Sequence, residues 1–175
     1  MLRPHWRGIT SFDELTPQQA IHSLYACCSS SIWALRVAAA RPFGDPERLY
    51  ATADRILAEL TEADLDEALE GHPRIGERPT SAASMREQSG VTGADESVLA
   101  DLRTYNAQYE DRFGHVYLVF AGGRPAAELL AILRQRLDND AETERRIMRA
   151  ELAKINRSRL ERMLEPRGEP YPEQT

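Results

Sequence analysis

Apolar residues recur at three- and four-residue spacing along most of this 175-residue chain, and helix start and stop signals bound each run. Thr16-Pro17 and Asp45-Pro46 each place a capping residue directly before a proline, which is the pattern of a helix N-terminus. Thr61 with Asp64 begins a further helix, which Gly71 ends. These signals predict an all-α fold.

The remaining segments predict a single-domain helical bundle with one long loop. A helix from Thr16 to Arg41 is expected to kink or break at the serines 29–31, and further helices are expected over about 95–113, 126–137 and 141–164. The polar, proline-bearing stretch 72–81 reads as a loop. Val116–Phe120 is the only strand-like run and has no partner, so it is predicted to be a short buried extended connector. The domain is predicted to span 1–165, followed by a polar tail over 166–175 that we expect to be disordered.

Composition narrows the classes of function. The 22 basic and 28 acidic side chains leave a net charge of −6, which disfavours a partner with a phosphate backbone, so no nucleic acid is expected. The best apolar stretch, Ile32–Ala40, is short and contains Arg36, so no membrane span is predicted. The two cysteines, Cys27 and Cys28, are adjacent, so a disulfide bond between them could not link distant parts of the chain. This favours a reducing, cytoplasmic compartment.

The sequence lacks the residues that several kinds of cofactor chemistry need. Lys154 is the only lysine, which leaves little for Schiff-base or pyridoxal chemistry. The four histidines and two cysteines show no chelating spacing, so no metal site is predicted. Gly122-Gly123-Arg124 lacks both the dinucleotide spacing and the P-loop lysine. His22 and His115 are expected to be structural or exposed.

His72 is the first candidate for chemistry. It stands before Pro73, which keeps it out of the helical region, at a fixed corner just beyond a helix end. An imidazole that titrates near neutrality can donate or accept a proton there. A loop histidine without a function is the alternative.

The second candidate is the sequence Ser84-Met85-Arg86-Glu87-Gln88. Ser84 and Glu87 have the spacing of a capping box, which predicts that a helix begins at Ser84. Free amides at such a helix start could also bind anionic or carbonyl oxygens. Glu87 could then polarise a histidine brought close by the intervening loop.

Arg159 is the third candidate, because it falls within the apolar stripe of the last predicted helix. An arginine at such a position either extends its head to solvent or meets an anion. Asn106 also lies on the apolar face of its own helix, and it is a weaker candidate for a polar side chain that meets a ligand.

Together these residues resemble the 2-oxo-4-hydroxy-4-carboxy-5-ureidoimidazoline (OHCU) decarboxylase family of urate degradation. The resemblance runs from about Phe12 to Leu164. Its motifs, in order, are His72-Pro73-Arg74-Ile75-Gly76, Ser84-x-x-Glu87-Gln88, Tyr109-x-x-x-Phe113-Gly114, Arg136-Leu137-x-Asn139-Asp140 and Ile155-x-x-x-Arg159-Leu160, with Cys28, Trp33 and Arg41-Pro42-Phe43 before them.

The resemblance implies an all-α, cofactor-free decarboxylase that forms (S)-allantoin, and it implies a role for each matching residue. His72 matches the catalytic histidine, and Arg159 matches an arginine that meets the substrate. The hypothesis for Glu87 is that its carboxylate holds His72 as an imidazolium. The further substrate contacts that the resemblance implies are Pro73, Ser84, Met85, Arg86, Glu87, Gln88, Tyr117, Leu118, Val119, Phe120 and Ala121. It also implies a homodimer.

Two alternatives remain at this point. A helical interaction module could keep the fold without the chemistry, although the five motifs are intact. A decarboxylase acting on a related ureido or imidazoline acid would show the same motifs. The chain ends Glu173-Gln174-Thr175 and not in a peroxisomal tripeptide, which implies a cytosolic enzyme within this family.

Overall fold

The computed structural model describes residues 6–79 and 81–166, and over these residues all regular secondary structure is helical. The all-α prediction is therefore confirmed for the described chain. The helices are α1 (Ile9–Asp13), α2 (Pro17–Cys27), α3 (Ser31–Ala39), α4 (Pro46–Glu59), α5 (Glu62–Glu70), α6 (Ala82–Glu87), α7 (Glu96–Phe113), α8 (Ala126–Arg136) and α9 (Ala141–Leu164). No helix among them is long and apolar enough to cross a membrane.

The helix boundaries follow the capping chemistry of the sequence. Thr16 caps α2 in a capping box with Gln19, and the Thr61 hydroxyl accepts from the Asp64 amide to start α5. Gly114 ends α7 in the left-handed conformation that glycine adopts without steric cost. The expected break at the serine cluster is confirmed, because α2 ends at Cys27 and the Ser30 hydroxyl caps α3.

The predicted capping box at Ser84 is wrong. The hydroxyl of Ser81 accepts from the Ser84 amide at 3.1 Å, so α6 begins at Ala82 and Ser84 lies one turn inside the helix. Ala82 and Ala83 have high helix propensity, which favours the earlier start. Glu87 is consequently the last residue of α6 and has no N-terminal capping role.

The chain forms two compact units. Of the described residues, the first contains 6–59 and 157–166. Its core surrounds Trp33, whose ring N–H donates to the carbonyl of Ala53 at 3.1 Å. Arg41 joins chain segments within this unit by donating to the carbonyls of Phe12 and Leu15, both at 2.9 Å. Cys27 and Cys28 are both buried in this unit, and neither forms a disulfide bond.

The second unit, residues 60–156, contains α5 to α8 and the first part of α9. Its apolar core is built mainly from α7, α8 and the segment between them. The members of that core are Ile75, Val91, Leu102, Tyr109, Tyr117, Val119, Ala121, Ala126, Leu129, Leu130 and Leu133. The boundaries 1–165 and 166–175 stay a prediction, and residues 167–175 of the expected tail lie outside the described residues.

Gly90 allows the chain after α6 to press against the turn at Gly123. A Cβ at position 90 would lie 2.2 Å from the Gly123 carbonyl oxygen and 2.3 Å from that of Arg124. In the same contact, the Gly123 amide donates to the Glu87 carbonyl at 3.2 Å. The absence of a side chain at Gly90 therefore determines how close the end of α6 lies to this turn.

We expect Gly90→Ala to lower the free energy of unfolding by roughly 1–3 kcal/mol, because backbone atoms must shift to admit the methyl group. Urea unfolding followed by circular dichroism measures this. Ser89→Ala, at the exposed neighbouring position, is the matched control and should stay within about 0.5 kcal/mol of wild type. A Gly90→Ala protein as stable as the Ser89→Ala control would contradict the packing described here.

Candidate active site

The loop after α5 places His72 at a corner whose backbone is anchored on both sides. The His72 amide donates to the carbonyl of Leu69 at 3.1 Å, at the end of α5. Two residues later, the Arg74 guanidinium binds Glu110 of α7 through two hydrogen bonds of 2.6 and 3.1 Å. Ile75 is buried in the core. His72 is thus a half-buried side chain on a loop with little freedom to move.

Two buried side-chain amides hold the loop backbone beyond His72. Gln88 accepts from the Gly76 amide at 3.2 Å and donates to the Arg74 carbonyl at 3.4 Å. Asn106 donates to the Ile75 carbonyl at 3.0 Å, so this polar side chain on an apolar face binds the loop backbone. The Gln88 side chain is therefore already engaged by the loop.

The sequence predicts an extended connector at Val116–Phe120, and in the structure residues 116–121, which we call the connector, form neither helix nor strand. Its backbone is bonded to long side chains of α8 and α9. The Phe120 amide donates to Glu151 at 2.7 Å, and the Leu118 carbonyl accepts from Arg136 at 2.6 Å. These bonds fix the position of the connector beside the core.

The loop, the end of α6 and the connector line one narrow pocket within the second unit. The space that they enclose is about 20 Å³, enough for roughly one water molecule. The lining residues are His72, Pro73, Ile75, Glu87, Gln88, Tyr117, Leu118, Val119, Ala121 and Ile155. A larger ligand can enter only if this pocket opens.

The pocket brings together eight of the residues expected from sequence and omits five. Met85 and Arg86 are exposed on α6, and buried Ser84 is hydrogen-bonded to Ser81. Phe120 is part of the connector but not of the pocket lining. Arg159 belongs to the first unit, where it is half-buried and donates to the Cys27 carbonyl at 3.2 Å.

His72 and Pro73 also line a second, larger cavity of about 560 Å³ in the same unit. Asp66, Glu70, Glu77 and Glu110 contribute four carboxylates to its wall, whereas Arg74 contributes the one guanidinium. An anionic ligand is repelled by such a wall, so the narrow pocket is the better candidate for binding a carboxylate.

Tyrosines near the pocket are unsuited to proton transfer. Tyr117 donates its hydroxyl to the Leu129 carbonyl at 2.9 Å, and burial raises the pKa of the phenol. Tyr109 donates to Glu144 at 2.6 Å, and burial likewise raises its pKa. Both phenols stay protonated, and both donate their hydroxyl hydrogens to other protein groups. His72 and Glu87 are therefore the side chains of the lining that remain as candidates for proton transfer.

Sequence reasoning missed Ile75 and Ile155 as pocket residues, and it missed Glu151 and Arg136 as the side chains that hold the connector. Glu144 and Glu151 lie seven residues apart on the buried face of α9, with Met148 between them. A charged side chain within an apolar stripe is the signal that singled out Arg159, and the same test would have found Glu144 and Glu151. Within the described residues, no group of three or more His, Cys, Asp or Glu side chains could hold a metal ion.

Comparison with known proteins points to one family. The chain is 30% identical over 145 residues to the uric acid degradation bifunctional protein of Arabidopsis thaliana, which covers 78% of this chain and 45% of that protein. It is 31% identical over 131 residues to the mouse 2-oxo-4-hydroxy-4-carboxy-5-ureidoimidazoline decarboxylase, which covers 71% of this chain and 74% of the mouse protein. The chain therefore spans less than half the length of the Arabidopsis relative.

A solved structure agrees with the sequence matches. The crystal structure of an OHCU decarboxylase in the presence of (S)-allantoin superposes with a TM-score of 0.73 at 28% identity, covering 80% of this chain and 95% of that one. The family model for OHCU decarboxylase matches residues 13–161, and the chain belongs to the OHCU decarboxylase family.

Proposed function

We propose that this chain decarboxylates OHCU to (S)-allantoin and CO2 without a cofactor. The observation that carries the proposal is the shared pocket, in which His72, Glu87 and the connector backbone line one small space. Membership of the family supports the same reaction. The homodimer and the cytoplasmic location implied by the resemblance belong to this proposal, and light scattering on the purified protein tests the dimer.

The substrate itself provides the electron sink. Its carboxylate is attached to a carbon next to a C=N bond, so the electron pair of the breaking bond passes toward that imine as CO2 leaves. The enol-like product of this step needs a proton on one carbon, and delivery to one face gives one enantiomer. The protein therefore has to hold the substrate, exclude water and supply a proton from one side.

His72 is the proton donor in this mechanism, and Glu87 favours its protonated form because a carboxylate nearby stabilises an imidazolium. The proximity of both side chains to one narrow pocket supports these roles. Backbone groups of the connector bind polar groups of the substrate. The resemblance to the family adds Arg159 as a further substrate contact.

The direct test is to supply purified protein with freshly generated OHCU and to follow the product by circular dichroism. The proposal predicts rapid appearance of the (S)-allantoin signal, whereas spontaneous decay gives racemic product. A decarboxylation rate at background level, or a racemic product, would refute the proposed function. Turnover of only a related ureido acid would instead favour the alternative substrate.

His72→Asn should remove most of the rate above background, by about 10² to 10⁴, because general acid catalysis contributes on that scale. The side chain is half-buried on a loop, so the melting temperature should stay close to wild type. His22→Asn, at an exposed position of α2, is the matched control and should retain full activity. Formation of (S)-allantoin at nearly the normal rate by folded His72→Asn would exclude this role.

Glu87→Gln should reduce activity with little loss of stability, because Glu87 does not cap the start of α6. Without the carboxylate, His72 loses its proton at lower pH, so the alkaline limb of the kcat/KM profile should move to lower pH. The control is Glu70→Gln, an exposed acid of the neighbouring larger cavity, which should leave the profile unchanged. An unshifted alkaline limb in Glu87→Gln would rule out support of an imidazolium.

Arg159→Lys should fold normally but have a lower kcat/KM, because lysine cannot reproduce the planar fork that binds paired oxygens. The decrease should correspond to a loss of roughly 1.5–3 kcal/mol in transition-state stabilisation. Arg159→Met should be lower still in activity. The control is Arg162→Lys, three residues later on α9, and the readouts are kcat/KM and melting temperature. Wild-type kinetics in Arg159→Met would show that this arginine has no part in substrate binding.

A further inference from the structure

Val119 lies at the centre of the connector, between two peptide groups that are held by side chains of opposite charge. The carbonyl of Leu118 accepts from the Arg136 guanidinium at 2.6 Å. The amide of Phe120 donates to the Glu151 carboxylate at 2.7 Å. These two bonds occupy the Leu118 C=O of the peptide unit before Val119 and the Phe120 N–H of the peptide unit after it.

The geometry of a trans peptide determines where the other ends of these units point. Both peptide bonds are trans, and in a trans unit the N–H and C=O are directed oppositely. The Val119 N–H therefore points away from Arg136, and the Val119 C=O points away from Glu151. Val119 itself lines the narrow pocket together with His72 and Glu87.

The Val119 donor and acceptor have no hydrogen-bond partner among the described residues, although Val119 is 5% exposed. A buried backbone amide and carbonyl left unpaired are costly and rare in folded proteins. A ligand that accepts from the Val119 N–H and donates to the Val119 C=O would explain why both groups lack a protein partner. The ligand has to offer a carbonyl and an N–H side by side, as a ureide does.

The two charges also strengthen this unpaired donor and acceptor. A cation at the Leu118 carbonyl polarises its peptide and makes the Val119 N–H a better donor, while an anion at the Phe120 amide makes the Val119 carbonyl a better acceptor. Each charge has its own counter-ion, since Arg136 pairs with Glu144 and Glu151 with Lys154. The polarisation is therefore achieved without a net buried charge.

We infer that Arg136 and Glu151 are positioning residues that orient and polarise the Val119 N–H and C=O so that this pair binds the neighbouring N–H and C=O of a ureide. Neither side chain lines the pocket. The inference rests on the proposed function for the identity of the ligand. It assigns substrate recognition, and not proton transfer, to these two charges.

The experiment measures binding of (S)-allantoin and turnover of OHCU by Glu151→Gln. This change keeps the shape and an acceptor oxygen but removes the charge. We expect the Kd for (S)-allantoin and the KM for OHCU each to rise about tenfold, with kcat changing much less, because a charge-assisted hydrogen bond is replaced by a neutral one. The matched control is Lys154→Met, which breaks the same ion pair but leaves the Phe120 amide bonded to Glu151. Its Kd and KM should stay close to wild type.

The wild-type protein supplies a second readout if the variant fails to fold. In an ¹⁵N spectrum, titration with (S)-allantoin should move the Val119 amide proton downfield, while the Phe120 amide, already donated to Glu151, should move less. An unchanged Kd and KM in folded Glu151→Gln, or a Val119 amide that stays in place while other pocket residues shift, would overturn the inference. A wild-type protein that does not turn over OHCU identifies failure of the proposed function instead.

Discussion

The C-terminal end of α6 joins the two chain segments on which the candidate site depends. The side chain of Gln88 is hydrogen-bonded to the backbone of the loop at Arg74 and Gly76, and the carbonyl of Glu87 accepts from the Gly123 amide beyond the connector. Two consecutive residues thus hold the His72 loop on one side and the connector turn on the other. Because Glu87 lies between these attachments, its carboxylate reaches the same pocket as His72.

Charge distinguishes the two cavities on either side of the His72 corner. The larger one has a mostly acidic wall, whereas the narrow one offers backbone amides, apolar side chains and a single carboxylate. A reaction that develops negative charge as CO2 leaves is favoured where water is scarce and donors are fixed in place. The long side chains that position the connector lie outside the pocket, so the polar groups that Leu118, Val119 and Ala121 offer to it are main-chain groups.

Sequence reasoning predicted the fold well because capping chemistry is local. Thr16, Thr61 and Gly114 each act within one helical turn, and the structure confirms the helix ends that they indicate. Ser84 shows the limit of the method: two serines three residues apart compete for one cap, and the spacing to Glu87 favoured the wrong one. The close approach at Gly90 and the bond from Glu151 to the connector each depend on a partner distant in sequence. A local pattern can mark Glu151 as a buried acid, but it cannot identify the group that Glu151 binds.

The central claim is that the chemistry takes place in the narrow pocket beside His72, and a crystal structure of this chain with (S)-allantoin tests it most directly. We predict that the ligand lies against the Val119 backbone within contact of His72 and Glu87, in a pocket opened well beyond the present 20 Å³. A ligand bound instead in the larger acidic cavity, or out of contact with His72, would contradict this account.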